Sequence, residues 1–257
     1  MIDPRADIHP DAKLGPNVTV GPWSIIEKNV SIGEGTIIGP QVVIQGPTKI
    51  GAYNQIFQFA SVGAMPQDKK YAEEETVLEI GDHNIIREFV TLNRGTVQGG
   101  NVTRIGDHNL FMAYTHVAHD CIIGNHVILA NYAALSGHVI VEDWAILSGF
   151  TGVHQYCTIG AHAFVGNDCK LVQDVLPYVM IAGGVEPKPY GLNSVGLRRR
   201  DFSDETLNHL KKAYRIIFRQ DNSIAETLVQ LENLLPACPE IGLMINAIKK
   251  STRGFVR

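Results

Sequence analysis

Residues 115–120 read THVAHD, placing His116, His119 and Asp120 side by side. An imidazole titrates at about pH 6.5, so it can serve as a general base, an anion donor or a metal ligand near neutrality. A spacing of three matches neither one strand face, which repeats every second residue, nor a firm metal pair without further ligands. What the two rings do therefore depends on the elements that hold them.

Composition limits those elements. The chain has 257 residues, 45% of them hydrophobic and 19% charged, enough to bury a substantial core. Lys plus Arg total 22 against 26 for Asp plus Glu, a net charge of −4 that argues against a nucleic-acid-binding surface. Cys121, Cys157, Cys169 and Cys238 lie far apart with no C-x-x-C pair, which fits reduced cytosolic thiols rather than a disulfide framework or a zinc knuckle. The start MIDPRADIHP carries acids and prolines where a signal peptide needs an apolar run, and no stretch reaches membrane-spanning length. The expectation is a cytoplasmic protein with no integral membrane segment.

Every sixth residue from Ile2 through Ile8, Leu14 and Val20 to Val62 is aliphatic. The frame restarts at Ile80, Ile86 and Leu92, and runs again from Ile105 to Leu171. Glycine often follows the aliphatic residue, as at Gly15, Gly21, Gly33, Gly39, Gly51 and Gly63, which suits a sharp corner with little side-chain room. A period of six belongs to neither a helix nor a hairpin sheet. It predicts short strands joined by tight corners and stacked as a parallel β-helix, three hexads to a coil, with coils roughly 4.7–4.9 Å apart. Such a tube tolerates insertions at its corners. The polar interruptions at 64–79 and 93–104 are the candidate functional loops.

The repeat ends near Pro177, and 178–200 reads as a Pro/Gly-punctuated connector ending in Arg198, Arg199 and Arg200. Beyond it, Ser203 starts a helix with Leu207, Leu210, Tyr214, Ile217 and Phe218 on one face. Ser223 and Glu226 form a capping box for a second helix, and a third follows Pro239 with Ile241, Met244, Ile245 and Ile248 inward. The predicted division is a β-helix over 1–190 and a helical domain over 191–257.

In that register Val117, Leu135 and Val153 share one wall of successive coils, and His116, His119, His138 and His154 lie beside them. Alternation turns His116 outward, while the other three fall at or near corners. Histidine on a solvent-facing position is ordinary for any one of them. Four of the chain's 10 histidines on one strip point instead to anion binding, acid–base chemistry or a metal.

The hexad frame, THVAHDCIIGNH, LSGHV, VHQYCTIGAH, the loop PQDKKY, IREFVTLNRGTVQGG and the tail STRGFVR together resemble the UDP-N-acetylglucosamine O-acyltransferases that open lipid A synthesis in Gram-negative bacteria. They are a family of the hexapeptide-repeat acyltransferase superfamily. The resemblance spans essentially the whole chain. It implies a left-handed β-helix, against the usual right-handed crossover preference, and a homotrimer with active sites in clefts between subunits. The implied reaction moves a (3R)-3-hydroxyacyl group from acyl carrier protein to the 3-hydroxyl of UDP-N-acetylglucosamine. No cofactor is implied, because the acyl group arrives on the carrier's phosphopantetheine, and no metal is needed.

By the same resemblance His119 is the general base, Asp120 supports it, and the Gly137 backbone N–H donates to the oxyanion. His116, His138, His154 and Gln155 line the nucleotide-sugar and pantetheine cleft. Gln67, Asp68 and Lys70 belong to the loop that meets the hexosamine, and Asn193, Arg199 and Arg200 match the uridine and diphosphate contacts. Two positions depart from the family pattern. Val195 replaces a uridine-side Glu, and Asn167 stands where members accepting longer chains can have Gly, implying an acyl chain shorter than about fourteen carbons by steric filling.

Three other readings compete. A γ-carbonic anhydrase type of hydratase would use three histidine-strip ligands for zinc. The N-acyltransferase acting later in the same pathway shares the repeat, although it usually begins with an extra uridine-binding domain. A non-catalytic hexad scaffold would leave His119 idle.

Overall fold

The computed structural model describes residues 1–257. Short strands form three walls of 9, 8 and 10 strands, parallel apart from the last strand of the 10-stranded wall, and up to the final coil each strand pairs with the strand three places further along the chain. They wind as a left-handed parallel β-helix. Within the regular coils the pairing joins residues 18 apart, as for Leu110 and Ile128. The buried side chains of Asn54, Asn84 and Asn109 form an internal hydrogen-bonded ladder. Their separations of 30 and 25 residues mark the two insertions.

The hexad aliphatics fill the tube: Ile26, Ile44, Val62, Leu92, Val117 and Leu135 are almost wholly buried. Strand alternation brings a second interior position two residues earlier, which takes Val42, Val90, Ala133 and three of the four cysteines, Cys121, Cys157 and Cys169. All four cysteines are free and buried. Burial pushes the Cys121 thiol up to about 12, so its part is packing rather than nucleophilic chemistry.

The glycines after the aliphatics supply room, as expected, but most do not make the corner. A Cβ on Gly33 would stand 2.5 Å from the carbonyl carbon of Gly51 in the next coil. The left-handed backbone falls two residues later, on non-glycine residues such as Trp23, Tyr53, Phe59, Asp120 and His138. Each such residue projects from an edge of the prism, and those on successive coils stack. Phe89, Tyr114 and Tyr132 do so with centroids 4.7 and 4.8 Å apart.

The stretch 178–200 differs from a plain connector. Val179–Ala182 joins the 10-stranded wall, and Lys188–Leu192 turns back antiparallel against it. Gly183 and Gly184, both at positive φ, make the turn. Pro189 is compatible with a strand because it lies on the outermost one, where a missing N–H costs little. Helix α1 (Ser194–Arg198) follows, then α2 (Asp204–Phe218), α3 (Ile224–Leu234) and α4 (Ile241–Lys250). The Ser203 cap and the Ser223–Glu226 capping box are both formed, and the expected faces of α2 and α4 are inward apart from the half-buried Phe218. The tail returns to the tube: Val256 N–H donates to the Asp174 carbonyl at 2.9 Å, and Ser251 Oγ to the Asp174 carboxylate at 2.6 Å. No helix is long and apolar enough to cross a membrane.

If coil spacing dictates these glycines, Gly33→Ala should cost about 1–3 kcal/mol of stability through overpacking. Gly152→Ala, where nothing lies within 4 Å of the added carbon, should cost under about 0.5 kcal/mol. Thermal or denaturant unfolding of the two variants distinguishes them, and equal losses would contradict the spacing argument.

Candidate active site

The edge between the 9-stranded and 8-stranded walls carries the histidine strip. It runs through three successive corners, Ala118-His119-Asp120, Ser136-Gly137-His138 and His154-Gln155-Tyr156. Both insertions emerge at this same edge, between Ser61–Ala64 and Val77–Ile80 and between Thr91–Asn93 and Val102–Ile105. They pack on each other: Asn93 Nδ2 donates to the Met65 carbonyl at 3.0 Å and Arg94 Nη2 to the Tyr71 hydroxyl at 3.2 Å.

Asp120 sits at φ 61° with a side chain 0% exposed. Its Oδ1 accepts the Thr96 N–H at 2.7 Å, and its Oδ2 accepts the Thr96 hydroxyl at 2.6 Å and His119 Nδ1 at 2.7 Å. Below it, the Asp120 N–H donates to Thr103 Oγ1 at 2.8 Å. A carboxylate only accepts, so the neutral His119 ring carries its proton on Nδ1 and presents a bare Nε2. Buried carboxylates need several donors, and here the second loop supplies two. Gly99 of that loop leaves the space the carboxylate fills, since an added Cβ would collide with it.

Gly137 does the same for the ring: a Cβ there would lie 2.7 Å from His119 Nε2. Its N–H donates to nothing within the chain, as does that of Gln155 at the equivalent corner. His138 crosses His119 edge-on at 5.2 Å and stacks on Tyr156 at 4.4 Å. Its Nε2 is 3.6 Å from Asp120 Oδ2. Burial lowers the His138 pKa, and the negative charges of Asp120 and Asp68 oppose that shift. His116 faces outward and pairs Nδ1 with Thr91 Oγ1 at 2.7 Å. Its pKa is lowered by burial first and second by any positive charge that His119 carries. Beside His138 a groove of about 410 Å³ opens between the 8-stranded wall and α4.

The structure thus gathers His116, His119, Asp120, Gly137 and His138, with His154 and Gln155 exposed one coil further on. Asp68 faces the group from the first loop, its carboxylate accepting the Lys70 N–H at 2.9 Å, while Gln67 and Lys70 are exposed. The remaining candidates lie elsewhere. Asn193 caps α1 and donates to the His162 carbonyl at the edge between the 8-stranded and 10-stranded walls. Arg200 is at that same edge beside Trp144. Arg199 and Val195 are exposed on or just after α1, and Asn167 is exposed at the third edge, next to Asp168. One prism cannot bring its three edges together.

Sequence reasoning missed Thr96, Gly99 and Thr91. The signal was available: both frame breaks fall between the same pair of walls as THVAHD. It also missed a second histidine column, His83, His108, His126 and His162, at the edge where Arg200 lies.

Residues 174–256 match the family model described as Udp N-acetylglucosamine O-acyltransferase; Domain 2, and residues 103–137 match the bacterial transferase hexapeptide (six repeats). The acyl-[acyl-carrier-protein]–UDP-N-acetylglucosamine O-acyltransferase of Pseudomonas entomophila is 53% identical over 256 residues, covering 100% of this chain and 99% of the relative. This chain belongs to that family. The corresponding protein of Thiobacillus denitrificans is 49% identical with the same coverage. Among solved structures, LpxA of Acinetobacter baumannii superposes with a TM-score of 0.97 at 43% identity, covering 100% of this chain and 99% of that one. The Francisella novicida UDP-N-acetylglucosamine acyltransferase gives 0.97 at 37%, covering 100% and 94%. The protein is accordingly an acyltransferase.

Because the Thr96 hydroxyl holds the carboxylate that orients His119, Thr96→Val should lower acyl-transfer turnover about tenfold, the worth of one charge-assisted hydrogen bond. Thr96→Ser should recover most of it. Equal turnover in all three proteins would show that the hydroxyl contributes nothing.

Proposed function

We propose that the protein transfers the acyl group of a (3R)-3-hydroxyacyl thioester on acyl carrier protein to the 3-hydroxyl of UDP-N-acetylglucosamine, the first step of lipid A biosynthesis, in the cytoplasm. The relatives' names supply the substrates. The observation that carries the mechanism is the His119 ring with Nδ1 on a buried carboxylate and Nε2 free.

His119 Nε2 takes the proton of the sugar hydroxyl as its oxygen attacks the thioester carbonyl. The new C–O bond leaves a tetrahedral oxyanion, which the unpaired Gly137 N–H is available to receive. When the C–S bond breaks, the pantetheine sulfur leaves and takes the proton back from the imidazolium. Throughout, the Asp120 carboxylate holds the ring by its Nδ1, and Thr96 keeps that carboxylate still. Asp68, Lys70 and Gln67 hold the hexosamine. His116, His138, His154 and Gln155 line the passage for the nucleotide sugar and the pantetheine, and Asn193, Arg199 and Arg200 serve uridine and diphosphate. Val195 in place of a Glu removes one uridine contact. Asn167 closes the acyl groove.

The division of these residues among three edges supports assembly with further copies of the chain, as the homotrimer that the family resemblance implies. The edge between the 10-stranded and 9-stranded walls carries Phe59, Phe89, Tyr114, Tyr132 and Phe150, stacked and between 42% and 62% exposed. Trp23, Ile25 and Ile37, also exposed, flank the ridge. Covering it with further copies of the chain buries apolar surface and turns the 10-stranded wall of one copy toward the site of the next.

One observation favours a metal reading: ligand atoms of His119, Asp120 and His138 lie within 4.8 Å of one another. The Asp120 oxygens in that set are already taken up by Thr96 and His119, which favours acid–base use.

Purified protein incubated with UDP-N-acetylglucosamine and 3-hydroxyacyl carrier proteins of several lengths should form product, and a folded His119→Ala variant should lose nearly all of it. Product formation that survives His119→Ala would remove the base assignment; stoichiometric zinc without product at any length would favour the hydratase. In the same assay Asn167→Gly should shift the preference toward longer chains. An unaltered preference would remove Asn167 as the ruler.

A further inference from the structure

The edge between the 8-stranded and 10-stranded walls carries a column of rings with no task in the mechanism above: His83, His108, His126, Trp144, His162 and Tyr178. Neighbours stack with centroids 3.9 to 6.3 Å apart. After α1 the chain returns to this column. The Arg200 guanidinium lies 4.8 Å over the Trp144 ring, its Nη2 donates to the Trp144 carbonyl at 3.2 Å, and its Nη1 stands 3.2 Å from His162 Nδ1. A guanidinium has donors only, so the last contact requires a bare Nδ1 and a neutral ring with its proton on Nε2.

The surroundings favour that state. His162 stacks between Trp144 and Tyr178, Phe202 meets it edge-on at 5.2 Å, and Asn193 Nδ2 donates to its carbonyl at 3.1 Å. The charges that face it are Arg200 and Asp143. Burial first and Arg200 second press its pKa down to about 4, with Asp143 opposing. Arg200 itself is half-buried, and burial lowers its pKa. Unlike Arg198, which reaches Asp204 at 3.4 Å, it pairs with no carboxylate of the chain. A partly desolvated cation held only by neutral acceptors and a ring face is stabilised by an arriving anion.

We infer that His162 is the positioning residue for Arg200, its neutral imidazole accepting from Nη1 and so fixing which N–H groups of the guanidinium remain for a nucleotide diphosphate. The inference rests on the reading of Arg200 as a diphosphate contact. It gives the otherwise unassigned column a purpose: the stack holds the imidazole plane, and the imidazole holds the fork.

The test is a KM-against-kcat comparison near neutral pH. His162→Phe keeps a stacking ring without an acceptor, and should raise KM for UDP-N-acetylglucosamine about tenfold while kcat stays within about twofold. His162→Asn offers Oδ1 near the place of Nδ1 and tolerates the native φ of 59°, so its KM should rise less. A wild-type KM in the Phe variant, or a loss confined to kcat, overturns the inference. Nitrogen-15 spectra of histidine-labelled protein separate it from the reading on which it rests. His162 Nδ1 should be unprotonated, and Arg200→Ala should raise the pH at which the ring titrates. A protonated Nδ1, or a titration that Arg200→Ala leaves in place, overturns the positioning contact. If Arg200→Ala moves the titration and leaves KM unchanged, the diphosphate reading fails and the contact stands.

Discussion

Parallel stacking of coils at one inter-strand spacing is the constraint on which everything else rests. Each strand pairs in register with the strand one coil on, so every side chain has its counterpart directly above and below. A hexad aliphatic therefore meets another aliphatic. An edge residue forced into left-handed backbone meets another such residue, and rings there form columns rather than pairs. The fold converts a period in the sequence into lines of like chemistry along a rigid prism.

The His119 corner is one place where such a line is interrupted. Gly137 stands between His119 below and Gln155 above, and the missing side chain gives the His119 ring its space. The second insertion reaches over the same corner and places Thr96 on both oxygens of Asp120. A carboxylate with no exposed surface needs those donors, because an unpaired buried charge is costly. The loop that looks like an ornament on the solenoid is thus what allows a buried carboxylate to sit beside the His119 ring.

Much of this was legible beforehand. The six-residue period of Ile26, Ile32 and Ile38 admits no other regular architecture, and register alone put His116, His119, His138 and His154 on one strip. Thr96 was hidden because the insertions carry register across 30 and 25 residues instead of 18. The hairpin of Val179–Ala182 and Lys188–Leu192 was hidden because Pro187 and Pro189 look like connector unless the strand is known to be outermost. The left-handed corner residues escaped notice because glycine, the usual occupant of that backbone, sits two positions away for reasons of space. The dispersal of Arg200 and Asn167 to separate edges could not be read from motifs, which fix residue types and say nothing about the edge of the prism on which each one falls.

A crystal structure of the protein with bound UDP-N-acetylglucosamine tests the central claim most directly. The account predicts the sugar 3-hydroxyl within about 3.2 Å of His119 Nε2, hydrogen-bond reach for a general base, with the diphosphate on Arg200 of a neighbouring copy. A hydroxyl turned away from His119, or a diphosphate bound wholly by the chain that supplies His119, would contradict it.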